Sequence, residues 1–342
     1  MWNRTRWRQN KSTRRSTNNQ SVDVLDPLMS WNLCSEAFLR KLDRLSLVAR
    51  RVRAGQVAGE RRSTRRGTSV EFADYRDYTR GDDLRRVDWN IYARLERPFV
   101  KLFEEEEDLA VHLLLDGSGS MDWGGGGDGE TRRGGEGGTR RGGEDENKWV
   151  YARRLAASLG YVALVTGDRL TVANLQSLPS NLQFGPVRGR GHALRLFEWL
   201  GGLEAGGVTD LNAGLRAYSI SGGRPGLVVL ISDLFSPAGY VEGLTALLAR
   251  GYEVAVIHVL APDEVEPVLA GDLRLLDVET GEPQDVTIDG GVRALYHRRL
   301  TAWRDEIRAA CLARDVHYVP VETDIPFDRV VLYDLRQAGL VK

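Results

Sequence analysis

The chain has 342 residues, of which 42% are hydrophobic, and it carries 47 basic and 48 acidic side chains. This length allows one large domain or two ordinary ones, with a substantial core. The formal net charge of −1 excludes a protein that is drawn to nucleic acid or to a membrane surface by its overall charge.

The beginning of the chain is locally basic, because residues 1–20 contain several arginines and one lysine but no acid. This stretch lacks the apolar core of a secretory signal, and we interpret residues 1–30 as a disordered basic tail. No apolar run approaches the ~20 residues of a membrane span, so we expect a soluble, cytoplasmic protein. The two cysteines, Cys34 and Cys311, are far apart in sequence and are interpreted as buried thiols.

Residues 31–105 are predicted to form a small N-terminal module made of a helix and β structure. Helical periodicity runs through 31–54, and the Gly- and Arg-rich stretch 55–68 is typical of a loop. Residues 70–72 and 98–103 have the pattern of strands, with a dense polar turn expected between them.

From residue 106 to the end, apolar strand patterns alternate with helix patterns. This alternation predicts an α/β domain with a doubly wound, mainly parallel sheet covered by helices on both faces. The predicted strands are 109–115, 169–174, 182–184, 227–232, 253–260 and 317–321. The predicted helices are 148–166, 192–201, 211–219, 240–250, 292–314 and 328–338. The Gly-, Arg- and Glu-rich stretch 124–147 contains Thr-Arg-Arg-Gly-Gly-Glu twice and is interpreted as a flexible insertion.

Oxygen-bearing side chains stand in three loops beside predicted strands and helices of this domain. Ligands of open parallel sheets bind beyond the carboxyl ends of the strands, where such loops meet. Hydroxyls and carboxylates suit Mg²⁺, or Mn²⁺ or Ca²⁺, and two carboxylates balance two positive charges. Each loop alone is equally typical of a turn or a helix N-cap, but together they predict a metal site. The five candidate ligands are Asp116, Ser118, Ser120, Thr209 and Asp233.

The order of these residues resembles the metal-ion-dependent adhesion site of the von Willebrand factor A fold, which reads Asp-x-Ser-x-Ser, then Thr, then Asp. Upstream, residues 71–78, 81–89 and 93–94 resemble the signature of the bacterial domain-of-unknown-function 58 family, and the resemblance covers about residues 36–342. It implies a von Willebrand factor A-like, Rossmann-like domain that works as a partner or adaptor of a MoxR-type AAA+ ATPase in chaperone-like assembly or activation of client proteins. The insertion 124–147 departs from the family pattern.

A second cluster combines arginines, aspartates and a tryptophan within the N-terminal module. One interpretation is a polar network that pins this module against the sheet, with ion pairs between Arg and Asp and an apolar anchor in Trp89. The other is a docking surface for the ATPase or its client. The candidate docking residues are Arg76, Asp82, Asp83, Arg85, Asp88, Trp89 and Arg94.

The leading functional hypothesis is a non-catalytic, Mg²⁺-dependent binding module that accepts a carboxylate from a partner protein. The chain is not itself the ATPase, because no Gly-Lys pair is followed by Ser or Thr as a P-loop requires. The alternatives are a metal-dependent phosphohydrolase, in which Asp116 would be central, and a nucleic-acid binder that uses the basic tail and the insertion.

Overall fold

The structure is a computed structural model that describes residues 35–49, 70–79, 82, 84, 87–105, 109–124, 147–177, 183–267, 271–276 and 283–342. The predicted tail 1–30, Cys34 and nearly all of the predicted insertion lie outside this part. The described residues divide into two compact units, one made of 35–49 and the residues from 109 onward, the other of 70–105. This division differs from the predicted module 31–105, because the first helix belongs with the sheet.

The first unit contains a six-stranded sheet in the order β10-β7-β6-β3-β4-β5, in which only the β4–β5 pair is antiparallel. The predicted α/β architecture with a mainly parallel sheet is therefore confirmed. The strands are β3 (Ala110–Leu115), β4 (Arg169–Asn174), β5 (Gln183–Arg188), β6 (Leu227–Ser232), β7 (Glu253–Leu260) and β10 (His317–Glu322).

The central strands are buried on both faces, which explains their almost continuous apolar sequences. In β3, Leu113 and Leu115 point into one hydrophobic core, and Leu114 points into the other. Successive side chains of a strand alternate between its two faces, so one short strand supports both cores.

Helices cover both faces of this sheet. Helices α3 (Lys148–Thr166) and α4 (Ala193–Gly201) contribute to one core, and α5 (Leu211–Ser221), α6 (Val241–Ala249) and α8 (Gly290–Leu312) contribute to the other. Between α6 and α8 lie the short helix α7 (Pro262–Val265) and the antiparallel hairpin of β8 (Gly271–Leu276) and β9 (Pro283–Ile288), neither of which was predicted. The predicted final helix is interrupted by a π-helical turn at Val330–Asp334. Cys311 of α8 is a buried free thiol.

The prediction of one helix through 31–54 is wrong. Helix α1 spans only Glu36–Leu42, and the residues after it run alongside the C-terminal residues. Ser46 N donates to Lys342 O at 3.2 Å, and Val48 N donates to Leu340 O at 2.9 Å. Leu45 and Leu47 are both buried, a spacing of two that suits extended chain.

The second unit pairs β1 (Val70–Asp77) with β2 (Phe99–Glu105) in antiparallel fashion. Between the two strands lies helix α2 (Trp89–Leu95), which was not predicted. Before it, in the predicted polar turn, the Asp82 amide donates to the Thr79 carbonyl at 3.0 Å. Asp88 caps the helix by accepting from the amides of Asn90 and Ile91, and Glu96 ends it in a left-handed conformation. Across both units, none of the described helices is both long enough and apolar enough to cross a bilayer.

The buried His112 of β3 makes the stability of the first unit sensitive to acid. Its Nε2 donates to the Arg224 carbonyl at 3.0 Å, because a carbonyl only accepts, and its Nδ1 accepts from the Tyr218 hydroxyl at 2.8 Å. Burial lowers the pKa of His112 from 6.5 to about 4, against the opposing effect of the Arg224 carbonyl. The unfolded chain therefore binds this proton more tightly, and stability present above pH 6.5 is lost as the pH falls toward 4.

We expect the free energy of unfolding of the wild-type protein to fall by about 3 kcal/mol more than that of His112→Gln as the pH is lowered through this range. Gln keeps one donor and one acceptor but does not titrate. Urea unfolding at several pH values measures the difference, in which the carboxylates common to both proteins cancel. Parallel stability curves for the two proteins would contradict the assignment.

Candidate metal centre

The register of two neighbouring strands brings the first and last candidate ligands together. β3 and β6 run parallel with Leu115 opposite Ile231, and the Asp116 amide donates to the Ile231 carbonyl at 3.0 Å. Asp116 and the Ser232–Asp233 pair therefore leave the sheet side by side. Ser232 Oγ donates to Asp116 Oδ2 at 2.6 Å, which joins the two loops directly.

The loop that begins at Asp116 folds back on its own carboxylate. Asp116 Oδ1 accepts from the Ser118 amide at 3.0 Å, and the hydroxyls of Ser118 and Ser120 lie 2.9 Å apart. A side chain at Gly117 would collide with Asn174, so the absence of a Cβ permits this path. Ser118 is buried, while Ser120 is partly exposed.

The loop that precedes Thr209 packs against the first loop. Gly119 N donates to Gly207 O and Gly206 N donates to Gly117 O, each at 2.8 Å. The same loop is joined to the third one, because Ser236 Oγ contacts the Thr209 carbonyl at 3.3 Å. The three loops are thus linked pairwise around one place at the edge of the sheet.

The hydroxyl of Thr209 has no hydrogen-bond partner among the described residues, although it is buried. The helix N-cap expected at Thr209-Asp210 is present, with Asp210 accepting from the Ala213 amide at 2.9 Å, and the Thr209 hydroxyl takes no part in it. Buried polar groups are almost always satisfied by protein, water or a bound ion. The unused Thr209 oxygen is therefore the clearest sign of a missing ligand in these three loops.

Asp233 is surrounded by donors that the sequence analysis did not identify. Its Oδ1 accepts from the Phe235 amide at 3.0 Å, and its Oδ2 accepts from Lys148 Nζ at 2.8 Å. Lys148 is fully buried and also donates to Glu264 Oε1 at 2.7 Å. The sequence signal for Lys148 was weak, because it is a single cation at the start of α3, distant in sequence from both partners.

The electrostatics of the centre reflect two buried carboxylates with one buried cation. Burial, and then the neighbouring Asp233 charge, raise the pKa of Asp116 to about 6. Burial also favours the neutral form of Asp233, but the Lys148 ammonium outweighs it and holds the pKa of Asp233 below its usual value. Burial alone would lower the pKa of Lys148, but the charges of Asp233 and Glu264 together raise it above the usual value. The pKa of Glu264 is raised, chiefly by burial.

The residues of the centre fit a hard divalent cation that is bound mainly by neutral oxygens. Among the described residues, no group of three or more His, Cys, Asp or Glu side chains is arranged to hold a metal. A site here depends instead on the hydroxyls of Ser118, Ser120 and Thr209, with the two aspartates supplying charge. Oxygen donors of this kind suit Mg²⁺, which retains several of its waters.

The two ends of the predicted insertion meet beside this centre. Lys148 N donates to Trp123 O at 2.8 Å, and Asn147 Nδ2 donates to Asp122 Oδ1 at 3.0 Å. The chain therefore leaves and returns at one point, immediately before the buried Lys148.

The candidate docking residues of the second unit have mixed roles. Arg76 and Asp82 form an ion pair at 2.8 Å, and both side chains also hydrogen-bond Thr79. Asp88 caps α2 and accepts from the Tyr75 hydroxyl at 3.1 Å. Trp89 is 58% exposed, so it is not buried within the second unit. Arg94 is exposed as well, whereas Asp83 and Arg85 lie outside the described residues.

Comparison with known proteins gives a family and several relatives. The family model described as "Protein of unknown function DUF58" matches residues 74–133 and 136–306, more than half of the chain. Uncharacterized proteins of Mycobacterium bovis and Mycobacterium tuberculosis are 29% identical over 291 residues, which cover 83% of this chain and 82% of each relative. An uncharacterized protein of Mycobacterium avium is 32% identical over 115 residues, covering 34% of this chain and 68% of that protein.

Two solved structures from Bacteroides are also similar at low identity. The conserved hypothetical protein BatB of Bacteroides thetaiotaomicron is 13% identical with a TM-score of 0.36, covering 68% of this chain and 98% of that chain. An aerotolerance-related membrane protein of Bacteroides fragilis is 13% identical with a TM-score of 0.35, covering 67% of this chain and all of that one. These TM-scores are too low to assign a fold or a function.

Removal of the Ser232 hydroxyl tests how strongly the centre depends on its internal hydrogen bonds. Ser232→Ala loses the bond to Asp116 and the bond from the Leu234 amide, which is 2.9 Å long. We expect a loss of about 2–3 kcal/mol in the free energy of unfolding, because one bond serves a buried carboxylate. Urea unfolding in EDTA measures this loss of stability. Ser221→Ala, at an exposed helix end, is the control, and an equal loss in both variants would contradict this role.

Proposed function

We propose that this chain, which belongs to the DUF58 family of proteins of unknown function, is a non-catalytic protein-binding module whose docking depends on Mg²⁺ at the candidate metal centre. The partner is a MoxR-type AAA+ ATPase or a client protein that offers a carboxylate. The module acts as an adaptor in chaperone-like assembly or activation of clients.

The observation that carries this proposal is the buried, unpartnered hydroxyl of Thr209 beside two loops rich in oxygen donors. An unpartnered buried hydroxyl is costly, so we expect this oxygen to take a ligand. A cation bound by Ser118, Ser120 and Thr209 would satisfy it.

The two aspartates are already engaged by protein donors, which favours a supporting role for them. Asp116 accepts from Ser118 N and Ser232 Oγ, and Asp233 accepts from Phe235 N and Lys148 Nζ. Hydroxyl ligands leave a divalent cation electrophilic, so that it accepts one more carboxylate oxygen from outside. Ser120 is the candidate ligand with partial exposure, and we place the approach of that carboxylate there.

The von Willebrand factor A-like assignment is part of the same proposal. The Asp-x-Ser-x-Ser segment follows β3 and Asp233 follows the neighbouring parallel strand β6, while Thr209 lies in the loop before α5. The partnership with a MoxR-type ATPase is inferred from the family resemblance.

The second unit offers a further docking surface under this proposal. Along α2, Trp89, Tyr92 and Leu95 are 58%, 44% and 61% exposed. Because they are three residues apart, they lie near one face of α2, and the exposed Arg94 is adjacent in sequence. Exposed apolar side chains in a cluster, mixed with charge, are typical of interaction sites.

Replacement of Thr209 by Val separates a metal ligand from a structural residue. The two side chains have similar shapes, and the hydroxyl has no protein partner to lose. We expect Thr209→Val to unfold at the wild-type temperature or higher in EDTA. In saturating MgCl₂ the wild-type protein should gain about 2–3 kcal/mol, or roughly 5–10 °C, and the variant should gain far less. Equal Mg²⁺-induced shifts measured by calorimetry would exclude Thr209 as a ligand.

Partner capture tests the function itself. We expect immobilised wild-type protein to retain a purified MoxR-type AAA+ ATPase in MgCl₂, with at least a tenfold loss in EDTA or with Asp116→Asn, because the loss of a charge at the centre weakens cation binding. Glu204→Gln, an exposed carboxylate in the loop before Thr209, is the control. Equal capture in EDTA and MgCl₂ would refute Mg²⁺ dependence, and steady Mg²⁺-dependent turnover of a generic phosphoester would favour the phosphohydrolase alternative.

A further inference from the structure

The buried Lys148 places a positive charge directly beside the proposed cation site. Its Nζ lies 2.8 Å from Asp233 Oδ2 and 2.7 Å from Glu264 Oε1, and its side chain is completely buried. It also lies 5.3 Å from the centre of the Phe235 ring. A fixed ammonium at this position repels a second cation, and in a buried environment the repulsion is only weakly screened.

Glu264 offsets that repulsion. With all four groups ionised, Asp116, Asp233 and Glu264 contribute three negative charges and Lys148 one positive charge, so the net charge of the cluster is −2. Without Glu264 the net charge is −1, and without Lys148 it is −3. Removing either member of the pair therefore shifts the charge away from that of one divalent cation, whereas removing both restores the match.

Glu264 is held in place by the local structure of α7. Its Oε2 accepts from the Ala261 amide at 2.8 Å, which holds the side chain against the first turn of the helix. The Tyr296 hydroxyl of α8 donates to the Glu264 carbonyl. With one carboxylate oxygen on the helix terminus and the other on Lys148, this side chain is fixed relative to Asp233.

We propose that Lys148 and Glu264 are positioning residues of the metal centre, which together set its divalent affinity. Lys148 fixes the orientation of Asp233, and Glu264 cancels the charge that Lys148 introduces. This inference rests on the proposed function, because it assigns a role toward the same cation. It extends the centre from the five residues of the sequence motif to α3 and α7.

A set of charge variants tests the inference, with MgCl₂ alone as the probe. Glu264→Gln removes one charge and retains acceptor oxygen for Lys148. Lys148→Met removes the cation, and the double variant returns the cluster to a net charge of −2. Glu266→Gln, an exposed carboxylate two residues away, is the matched control. Isothermal titration calorimetry at pH 7.5 gives the dissociation constant, and circular dichroism confirms that each variant is folded.

We expect Glu264→Gln to weaken Mg²⁺ binding on the order of tenfold, and the double variant to recover most of that loss. The control should remain within twofold of the wild-type protein. Lys148→Met leaves buried acids without their cation and is expected to be unstable in EDTA. Its recovery by MgCl₂ would support the inference, and its failure to fold in MgCl₂ would not alter the comparison of the Glu264→Gln and double variants.

Three outcomes would overturn the inference, and they are distinguishable. Wild-type protein that binds Mg²⁺, together with Glu264→Gln of unchanged affinity, refutes the role of this pair and leaves the proposed function intact. The same holds if the double variant binds no better than Glu264→Gln. Absence of Mg²⁺ binding to the wild-type protein refutes both proposals.

Discussion

The structure of the first unit depends on two buried carboxylates, those of Asp116 and Asp233, which are held close together. The parallel pairing of β3 with β6 delivers Asp116 and Asp233 to the same edge of the sheet, inside a cluster that excludes most water. Two like charges at such a place are unfavourable unless the surroundings compensate. The local loops, the amides that point into them and the buried Lys148 all serve this compensation, and a divalent cation would complete it.

The compensation comes from elements that are distant in sequence. Ser232 belongs to the end of β6, Lys148 begins α3, and Glu264 lies in the short helix after β7. None of these elements forms the arrangement alone, since each contributes one donor or one charge. The hydroxyls of Ser118 and Ser120 contact each other, and such preorganisation would lower the entropic cost of binding a ligand.

The mainly parallel sheet could be predicted from the sequence because its strands are almost continuously apolar, as in β3 and β7. The length of α1 could not, because its end depends on pairing with residues at the opposite end of the chain. Helix α2 was not predicted because it lies in a densely charged stretch of the sequence, although Asp88 is a good helix N-cap. The five motif residues could be proposed as metal ligands from their order, whereas Lys148 and Glu264 are recognised only through three-dimensional contacts. Metal binding itself stays a prediction.

The pairing of Ser46 and Val48 with the C-terminal residues has a consequence for biosynthesis. These contacts join segments separated by almost the whole chain, and Phe38 of α1 likewise packs edge-on against Phe327, with ring centres 5.1 Å apart. A ribosome releases the early segment long before its partners exist, so α1 and the residues after it must wait exposed during translation. Contacts of such sequence separation form late. Until residues 327–342 have been made, Leu45 and Leu47 therefore lack the partners that bury them in the folded protein.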